Sequence, residues 1–172
     1  MTLWFSRVII TTFLVLGVMS FSPAPSQANT RVSKRVLVLH SYHQGYAWTD
    51  NVTRALQQQF EQSDFNVELF IEYMDTKRLQ PESAFPRLAS LYDFKYSALR
   101  FDAIICCDNN ALDFLVQYHH KVFHSTPVIF CGINNFEPSM LSEHDDFTGV
   151  YEQLDLRASL DLIVVMRPPP VT

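Results

Sequence analysis

The chain has 172 residues, of which 48% are hydrophobic and 18% charged, and its formal net charge is −5 at pH 7. This apolar fraction, with 14 Phe, 7 Tyr and 2 Trp, excludes an intrinsically disordered chain. The acidic balance, without a long run of Lys or Arg, argues against a nucleic-acid-binding surface. The length is sufficient for one domain with a core of its own.

Residues 1–28 have the pattern of a secretory signal peptide. Arg7 is the one charged side chain, and the uncharged apolar run 8–21 follows it. Ser26 and Ala28 are small residues at the spacing that signal peptidase requires. The apolar run is shorter than the about 20 residues of a transmembrane helix. We therefore expect export to the bacterial periplasm or beyond, with an uncleaved membrane anchor as the alternative.

The rest of the chain, residues 29–172, alternates continuous apolar runs with amphipathic segments and has no further membrane span in its hydropathy. Continuous runs favour strands buried on both faces, and a four-residue apolar repeat favours helices. The predicted strands are 36–39, 67–73, 101–106, 127–131 and 147–150. The predicted helices are one capped by Asp50, 81–96 with Pro86 in its first turn, 109–119, a short turn at 138–141, and one opened by Asp155. This order predicts an α/β fold, a doubly wound parallel sheet of about five strands with helices on both faces.

Polar and aromatic residues follow several of these predicted strands, in the segments 40–50, 108–110 and 132–136. Ligands of parallel α/β sheets bind at the carboxyl ends of the strands, and ligand pockets combine aromatic walls with a few polar groups. The candidate ligand-binding residues are Ser41, Tyr42, His43, Tyr46, Trp48, Asp108, Asn109, Asn110, Asn134 and Asn135. Structural roles are open for the same residues: the aromatic rings can cover the sheet, and the Asp and Asn side chains can cap a helix or form turns.

Four segments of the chain resemble the ABC-transporter substrate-binding-like family. They are 36–50 (VLVLHSYHQGYAWTD), 72–78 (EYMDTKR), 108–114 (DNNALDF) and 128–136 (VIFCGINNF). This family also supplies the extracytoplasmic sensor domains of bacterial histidine kinases and diguanylate cyclases. The resemblance extends over residues 35–166 and implies one lobe of a type 1 periplasmic binding protein, in which two hinged α/β lobes close on a small ligand.

The resemblance also implies the function and the partners. It predicts an exported solute-binding or ligand-sensing domain that binds a small molecule and works with either an ABC permease or a sensor kinase module. Family members continue into a second lobe after the helix that ends near Met166, whereas this chain ends at Thr172. We therefore expect a truncated, single-lobed protein. A non-functional remnant and an interaction module that pairs through the lobe surface are the alternatives.

Histidines and catalytic motifs give little support to a metal site or an enzyme. His40 and His43 form one pair, and His119, His120 and His124 form a second group. Within it, His120 and His124 have the i, i+4 spacing that can supply two zinc ligands. No His-Glu-x-x-His signature, nucleophile elbow, phosphate-binding loop or dinucleotide fingerprint occurs in the sequence. We predict no metal, no cofactor and no enzymatic activity.

The three cysteines of an exported chain raise the question of a disulfide bond. Cys107 and Cys131 end two predicted strands that we expect to be neighbours, whereas a bridge between Cys106 and Cys107 would be strained. Cysteines at buried strand ends also behave as small apolar residues. The sequence therefore favours buried thiols, with a single Cys107–Cys131 bridge as the alternative. Cys107 also stands where family members usually have a small hydroxyl residue.

Overall fold

The computed structural model describes residues 32–153 and 155–166. The predicted signal peptide, 1–28, and the proline run 168–170 lie outside the described residues. Among the helices that are described, none combines the length and the hydrophobicity needed to span a membrane.

Strands and helices alternate along the described chain. The strands are β1 (Ser33–His40), β2 (Asn66–Tyr73), β3 (Ala103–Cys107), β4 (Val128–Asn134) and β5 (Phe147–Glu152). The helices are α1 (Ala47–Glu61), α2 (Pro81–Tyr96), α3 (Asn109–Val122) and α4 (Leu156–Val165), and a 3-10 turn spans Pro138–Leu141. Each predicted element is present, with ends that differ by a few residues.

The five strands form one parallel sheet in the order β2-β1-β3-β4-β5. This confirms the predicted α/β fold with a doubly wound parallel sheet. The chain runs outward from β1 to β2 on one side and from β3 to β5 on the other. The order therefore reverses between β1 and β3, and in such sheets a crevice forms at the carboxyl ends of the two strands at the reversal.

Helices cover both faces of the sheet, as predicted, but not to the same extent. On one face α2 and α3 bury a large core that includes Leu37, Ile104 and Leu115. On the other face α1 covers a smaller cluster built around Val38 and Ile105. None of the described side chains of α4 belongs to either core. The α2–α3 face therefore supplies most of the apolar burial that stabilises the fold.

Three local predictions were wrong. Tyr46, not Asp50, occupies the N-cap of α1, and Asp50 lies in the first turn. Its carboxylate accepts the backbone N–H of Gly45 at 3.0 Å. Pro86 lies in the second turn of α2, not the first, because the helix begins at Pro81. β4 continues past the predicted end at Cys131 to Asn134, since an irregular register between Phe130 and Ile133 lets the strand keep pairing with β5.

Gly149 in β5 lies against the backbone of β4. A Cβ atom at this position would lie 2.1 Å from the Phe130 carbonyl oxygen and 2.7 Å from the Phe130 ring. Backbone atoms cannot move away as a flexible side chain can. Glycine is therefore required where β5 pairs with the irregular part of β4.

Candidate functional site

A cavity of about 270 Å³ lies at the carboxyl edge of the sheet. Its lining is Tyr42, Tyr46, Trp48, Asp108, Gly132, Asn134 and Glu152. These residues come from the loop after β1, the start of α1, the loop after β3, and the ends of β4 and β5. Five of the ten predicted ligand-binding residues are thus brought together around one cavity.

Tyr42 and Asp108 join the two sides of the topological reversal. The Tyr42 hydroxyl donates a hydrogen bond of 2.8 Å to Asp108 Oδ1, and Asp108 Oδ1 also accepts the backbone N–H of Asn109 at 2.9 Å. Burial and the bond to Asp108 raise the pKa of Tyr42 well above its usual value of 10. The phenol is therefore a protonated donor at any physiological pH. Both of these bonds use Oδ1, so Oδ2 is the atom of this carboxylate that a ligand can engage.

Aromatic rings form one wall of the cavity. The rings of Tyr42 and Tyr46 meet edge to face with centroids 5.1 Å apart. Trp48 packs on Gly132, where an added Cβ would lie 2.9 Å from Trp48 Cζ2. Tyr46 and Trp48 are 37% and 41% exposed, so their faces are accessible to a solute. The Lys77 ammonium lies 4.2 Å from the Tyr42 ring centroid, in a cation–π contact.

The backbone at this edge adopts rare conformations. Asp108 and Asn135, the residues directly after β3 and β4, have φ values of +78° and +53°, and Asp75, two residues after β2, has a φ of +54°. Left-handed φ is costly for residues other than glycine and clusters at functional sites. At Asp108 part of this cost is offset, because its side chain caps α3 by accepting the backbone N–H of Asn109. The strain supports a specialised role for the strand ends.

His43 lies beside the cavity and not in its lining. Its Nδ1 is 3.4 Å from Asp75 Oδ1, and its ring centroid is 5.9 Å from that of Tyr46. Both His43 Nδ1 and Asp75 Oδ1 are buried without a hydrogen-bond partner among the described residues. The pair borders the aromatic wall on the β2 side and can orient Tyr46.

Ser41 and Asn110 are occupied by the protein itself. Ser41 is 1% exposed; its hydroxyl donates to the Cys107 carbonyl at 3.0 Å and accepts the N–H of Ala111 at 2.8 Å. Asn110 donates to the Thr76 hydroxyl at 2.8 Å. These bonds tie the ends of β1, β2 and β3 together. Both side chains therefore hold the edge of the sheet together, and neither lines the cavity.

Asn109 and Asn134 form a reciprocal pair across 25 positions of sequence. Asn109 Nδ2 donates to the Asn134 carbonyl at 2.9 Å, and Asn109 Oδ1 accepts the Asn134 N–H at 3.0 Å. Only the Asn134 side chain remains available, and it lines the cavity. Asn135 is exposed next to it, in the turn conformation that its left-handed φ allows.

Sequence reasoning missed Glu152, Lys77 and Asp75. Glu152 is the last residue of β5 and lines the cavity. Lys77 stacks on Tyr42, and Asp75 lies two residues after the end of β2. Each could have been found by the same rule that selected Asp108, because each follows or ends a strand at the carboxyl edge. The cavity thus combines two carboxylates, an aromatic wall and a nearby ammonium group.

Two larger grooves lie beside the edge strand β2. One, of about 590 Å³, is lined mainly by apolar residues from β2 and the end of α2. The other, of about 380 Å³, lies between β2 and α1. Neither lies at the carboxyl edge of the sheet near the reversal of strand order. We therefore regard the smaller cavity, where polar groups from four strand ends converge, as the candidate site.

The three cysteines are free thiols. Cys107 and Cys131 face each other in register on β3 and β4, with Sγ atoms 3.8 Å apart. A disulfide requires about 2.05 Å between the sulfurs. The adjacent strands thus place the predicted alternative pair together but unbonded, on the sheet face that α1 covers.

Comparison with known proteins gives no match: no family model, no curated protein and no solved structure is significantly similar to this chain.

Proposed function

We propose that this chain is an exported solute-binding or ligand-sensing domain that holds a small molecule in the cavity at the carboxyl edge of its sheet. The observation that carries the proposal is the Tyr42–Asp108 hydrogen bond, which crosses the reversal of strand order inside the cavity. This is the place where doubly wound sheets bind their ligands. The resemblance of segments 36–50, 72–78, 108–114 and 128–136 to substrate-binding proteins supports the same function.

The chemistry of the lining favours a solute with a flat ring or an amine. Tyr46 and Trp48 offer partly exposed faces on which a ring or a cation can stack. Asp108 and Glu152 offer carboxylate oxygens to a donor. The cavity volume of about 270 Å³ is near the lower end of the range for small-molecule sites. The partner that reads the bound state would be an ABC permease or a sensor kinase module.

The direct test is a ligand screen that uses the fluorescence of Trp48. The sequence has two tryptophans, so a Trp4→Phe background leaves Trp48 as the one indole reporter. The purified chain is titrated with amino acids, polyamines, nucleobases, sugars and small anions, and thermal unfolding is recorded in parallel. We expect at least one amine or aromatic compound to change the emission and raise the melting temperature.

Two variants decide where such a compound binds. Trp48→Leu removes the indole ring from the aromatic wall of the cavity, and we expect it to abolish the thermal shift. Phe94→Ala removes an aromatic ring that is 84% exposed on α2, outside the cavity, and should leave the shift unchanged. A panel without any binder, or a binder that Trp48→Leu does not weaken, would contradict the proposal.

A second candidate function, an interaction module, is favoured by exposed apolar residues on β5 and α4. Val150 is 68% exposed, and Val165 is 81% exposed. Apolar residues that cluster on a surface mark contact sites for other polypeptides. Sedimentation velocity over a range of protein concentrations distinguishes the two functions. Self-association that Val150→Ser weakens would favour the module, and a monomer at all concentrations would contradict pairing between copies.

A further inference from the structure

A cluster of histidine and carboxylate side chains lies at the amino edge of the sheet, opposite the candidate ligand site. His119 and His120 lie in the last turn of α3, and Asp146 immediately precedes β5. One ligand atom from each of the three lies within 4.8 Å of the other two. His119 and His120 are neighbours in sequence, and the fold brings Asp146 to them from the segment before β5.

The hydrogen bond of His119 determines which of its nitrogen atoms faces the cluster. His119 Nε2 is 2.7 Å from the Thr126 carbonyl oxygen, and a carbonyl only accepts, so Nε2 carries the proton. In the neutral ring Nδ1 is then a lone-pair donor to a cation. A ligating histidine in a zinc site is held in the same way, with its second nitrogen donating to a carbonyl.

His119 Nδ1 and the Asp146 carboxylate are two acceptors that face each other, so a cation between them would be favourable. Nδ1 is 3.6 Å from Asp146 Oδ2, and it is buried without a hydrogen-bond partner among the described residues. His119 itself is 1% exposed. The Asp146 side chain is 23% exposed, so water can solvate its carboxylate, but the buried Nδ1 acceptor that faces it is unfavourable unless a proton or a metal ion lies between them.

We propose that His119, His120 and Asp146 bind a zinc ion. Two ligands of a tetrahedral zinc ion, each about 2.0–2.1 Å from the metal, lie about 3.3 Å apart, close to the observed 3.6 Å. Imidazole nitrogens and a carboxylate are a common zinc donor set. This proposal replaces the sequence-based expectation of no metal, which considered His119, His120 and His124 but not the carboxylate of Asp146.

His144 is positioned to complete the site. Its ring stacks on that of His120, with centroids 5.7 Å apart and planes at 14°. His144 Nδ1 is also buried without a hydrogen-bond partner among the described residues. Rotation of this side chain would supply a fourth ligand, and otherwise water fills the fourth position. The ion would join the end of α3 to the segment that leads into β5.

The test measures zinc binding by the full chain without a histidine tag. After treatment with a chelator, the protein is titrated with zinc against a chromophoric competitor, and thermal unfolding is recorded with and without the metal. We expect one zinc per chain and a higher melting temperature. Cobalt in place of zinc should give the visible bands of a tetrahedral site. A sulfur-to-metal charge-transfer band would instead assign the metal to the Cys107–Cys131 pair.

Variants of the exposed and half-buried ligands avoid the risk that a buried His119 substitution prevents folding. His120→Ala and Asp146→Asn should weaken zinc binding by more than about tenfold, since even outer-shell partners of a metal contribute that much. His124→Ala is the matched control, because His124 is an exposed histidine at the same helix end that lies outside the cluster. Absence of zinc binding would overturn the proposal and indicate that a proton, not a metal, lies between His119 and Asp146. Equal losses in all three variants would also overturn it.

Discussion

The hydroxyl of Tyr42 donates to Asp108 Oδ1 at 2.8 Å, and this bond joins the loop after β1 to the loop after β3. The two loops are 66 positions apart in sequence. They meet because β1 and β3 are paired in register, from Val36 with Ala103 to His40 with Cys107. Sheet pairing therefore sets the geometry of the candidate site.

Tyr42→Phe should destabilise the protein by about 1 kcal/mol, because a partly exposed hydrogen bond to a carboxylate is lost. It should also weaken any ligand that contacts Asp108, since the carboxylate loses the group that orients it. Urea unfolding measures the first effect and ligand titration the second. Tyr118→Phe, at a partly buried tyrosine of α3, is the control, and an equal loss of stability in both variants would contradict the assigned role.

Acid should destabilise the fold through His40. Burial lowers the pKa of His40 from 6.5 to about 4, and the Asp50 charge opposes this only in part. The unfolded chain therefore takes up a proton between pH 6.5 and 4 that the folded protein does not accept. The free energy of unfolding therefore has its full contribution from neutral His40 above pH 6.5. This contribution is lost as the pH falls towards 4, by up to about 3 kcal/mol.

His40→Gln should make the unfolding free energy less dependent on pH within this window. Its side-chain amide can still donate to Thr53 Oγ1, which lies 2.9 Å from His40 Nε2. Chemical unfolding at several pH values measures the effect. His124→Ala, at an exposed position, should keep the pH dependence of the wild type, and a His40→Gln profile identical to the wild type would refute this origin of the acid sensitivity.

Two glycine-to-alanine variants separate steric contact from backbone strain. Gly149→Ala places a Cβ 2.1 Å from the Phe130 carbonyl and should cost about 2 kcal/mol or more, as overpacking does. Gly45→Ala has no atom within 4 Å of its added Cβ but has a φ of +90°, so about 1 kcal/mol of backbone strain is expected. Thermal unfolding gives the order, and a Gly149→Ala variant as stable as Gly45→Ala would show that β5 does not lie this close to β4.

Cys131 should react with a thiol reagent before the other two cysteines. The hydrogen bond with Cys107 lowers the pKa of Cys131 and raises that of Cys107, while burial raises the pKa of Cys106. Cys131 is also only half buried. Timed alkylation followed by peptide mass spectrometry gives the order of reaction. We expect Cys107→Ser to slow the alkylation of Cys131 by a smaller factor than the factor by which unfolding accelerates the alkylation of Cys106. If Cys106 reacts faster than Cys131 in the native protein, the burial pattern is contradicted.

Continuous apolar runs made the strands predictable, because a parallel sheet buries both faces of its inner strands. α2 begins and ends where its apolar spacing predicts, at Pro81 and Tyr96. The N-cap of α1 was not predictable in this way. Asp50 has the composition of a cap, but its side chain reaches back to the Gly45 N–H, and that geometry depends on the loop.

The membership of the candidate site was only partly predictable. Position at the carboxyl end of a strand identified Tyr42, Asp108 and Asn134, which do line the cavity. The sequence does not show which side-chain amides are already hydrogen-bonded within the protein. This depends on pairs such as Asn109 with Asn134, which lie at the ends of strands that become adjacent only on folding. The same holds for His119 and Asp146, whose contact requires β5 to pair with β4.

The helices on the two faces of the sheet bury unequal amounts of apolar surface. The two sides of the cavity therefore differ in how easily they open locally. Trp48 belongs to α1, which has Thr49 as its one fully buried residue. Asp108 instead caps α3, whose inner side chains lie in the larger core. Helices that bury less apolar area open at lower free energy. The Trp48 side of the aromatic wall can thus adjust to the shape of a solute while Asp108 and the Tyr42 ring bonded to it stay in place. Substitutions on α1 could then change which solute is bound without lowering the stability of the rest of the domain.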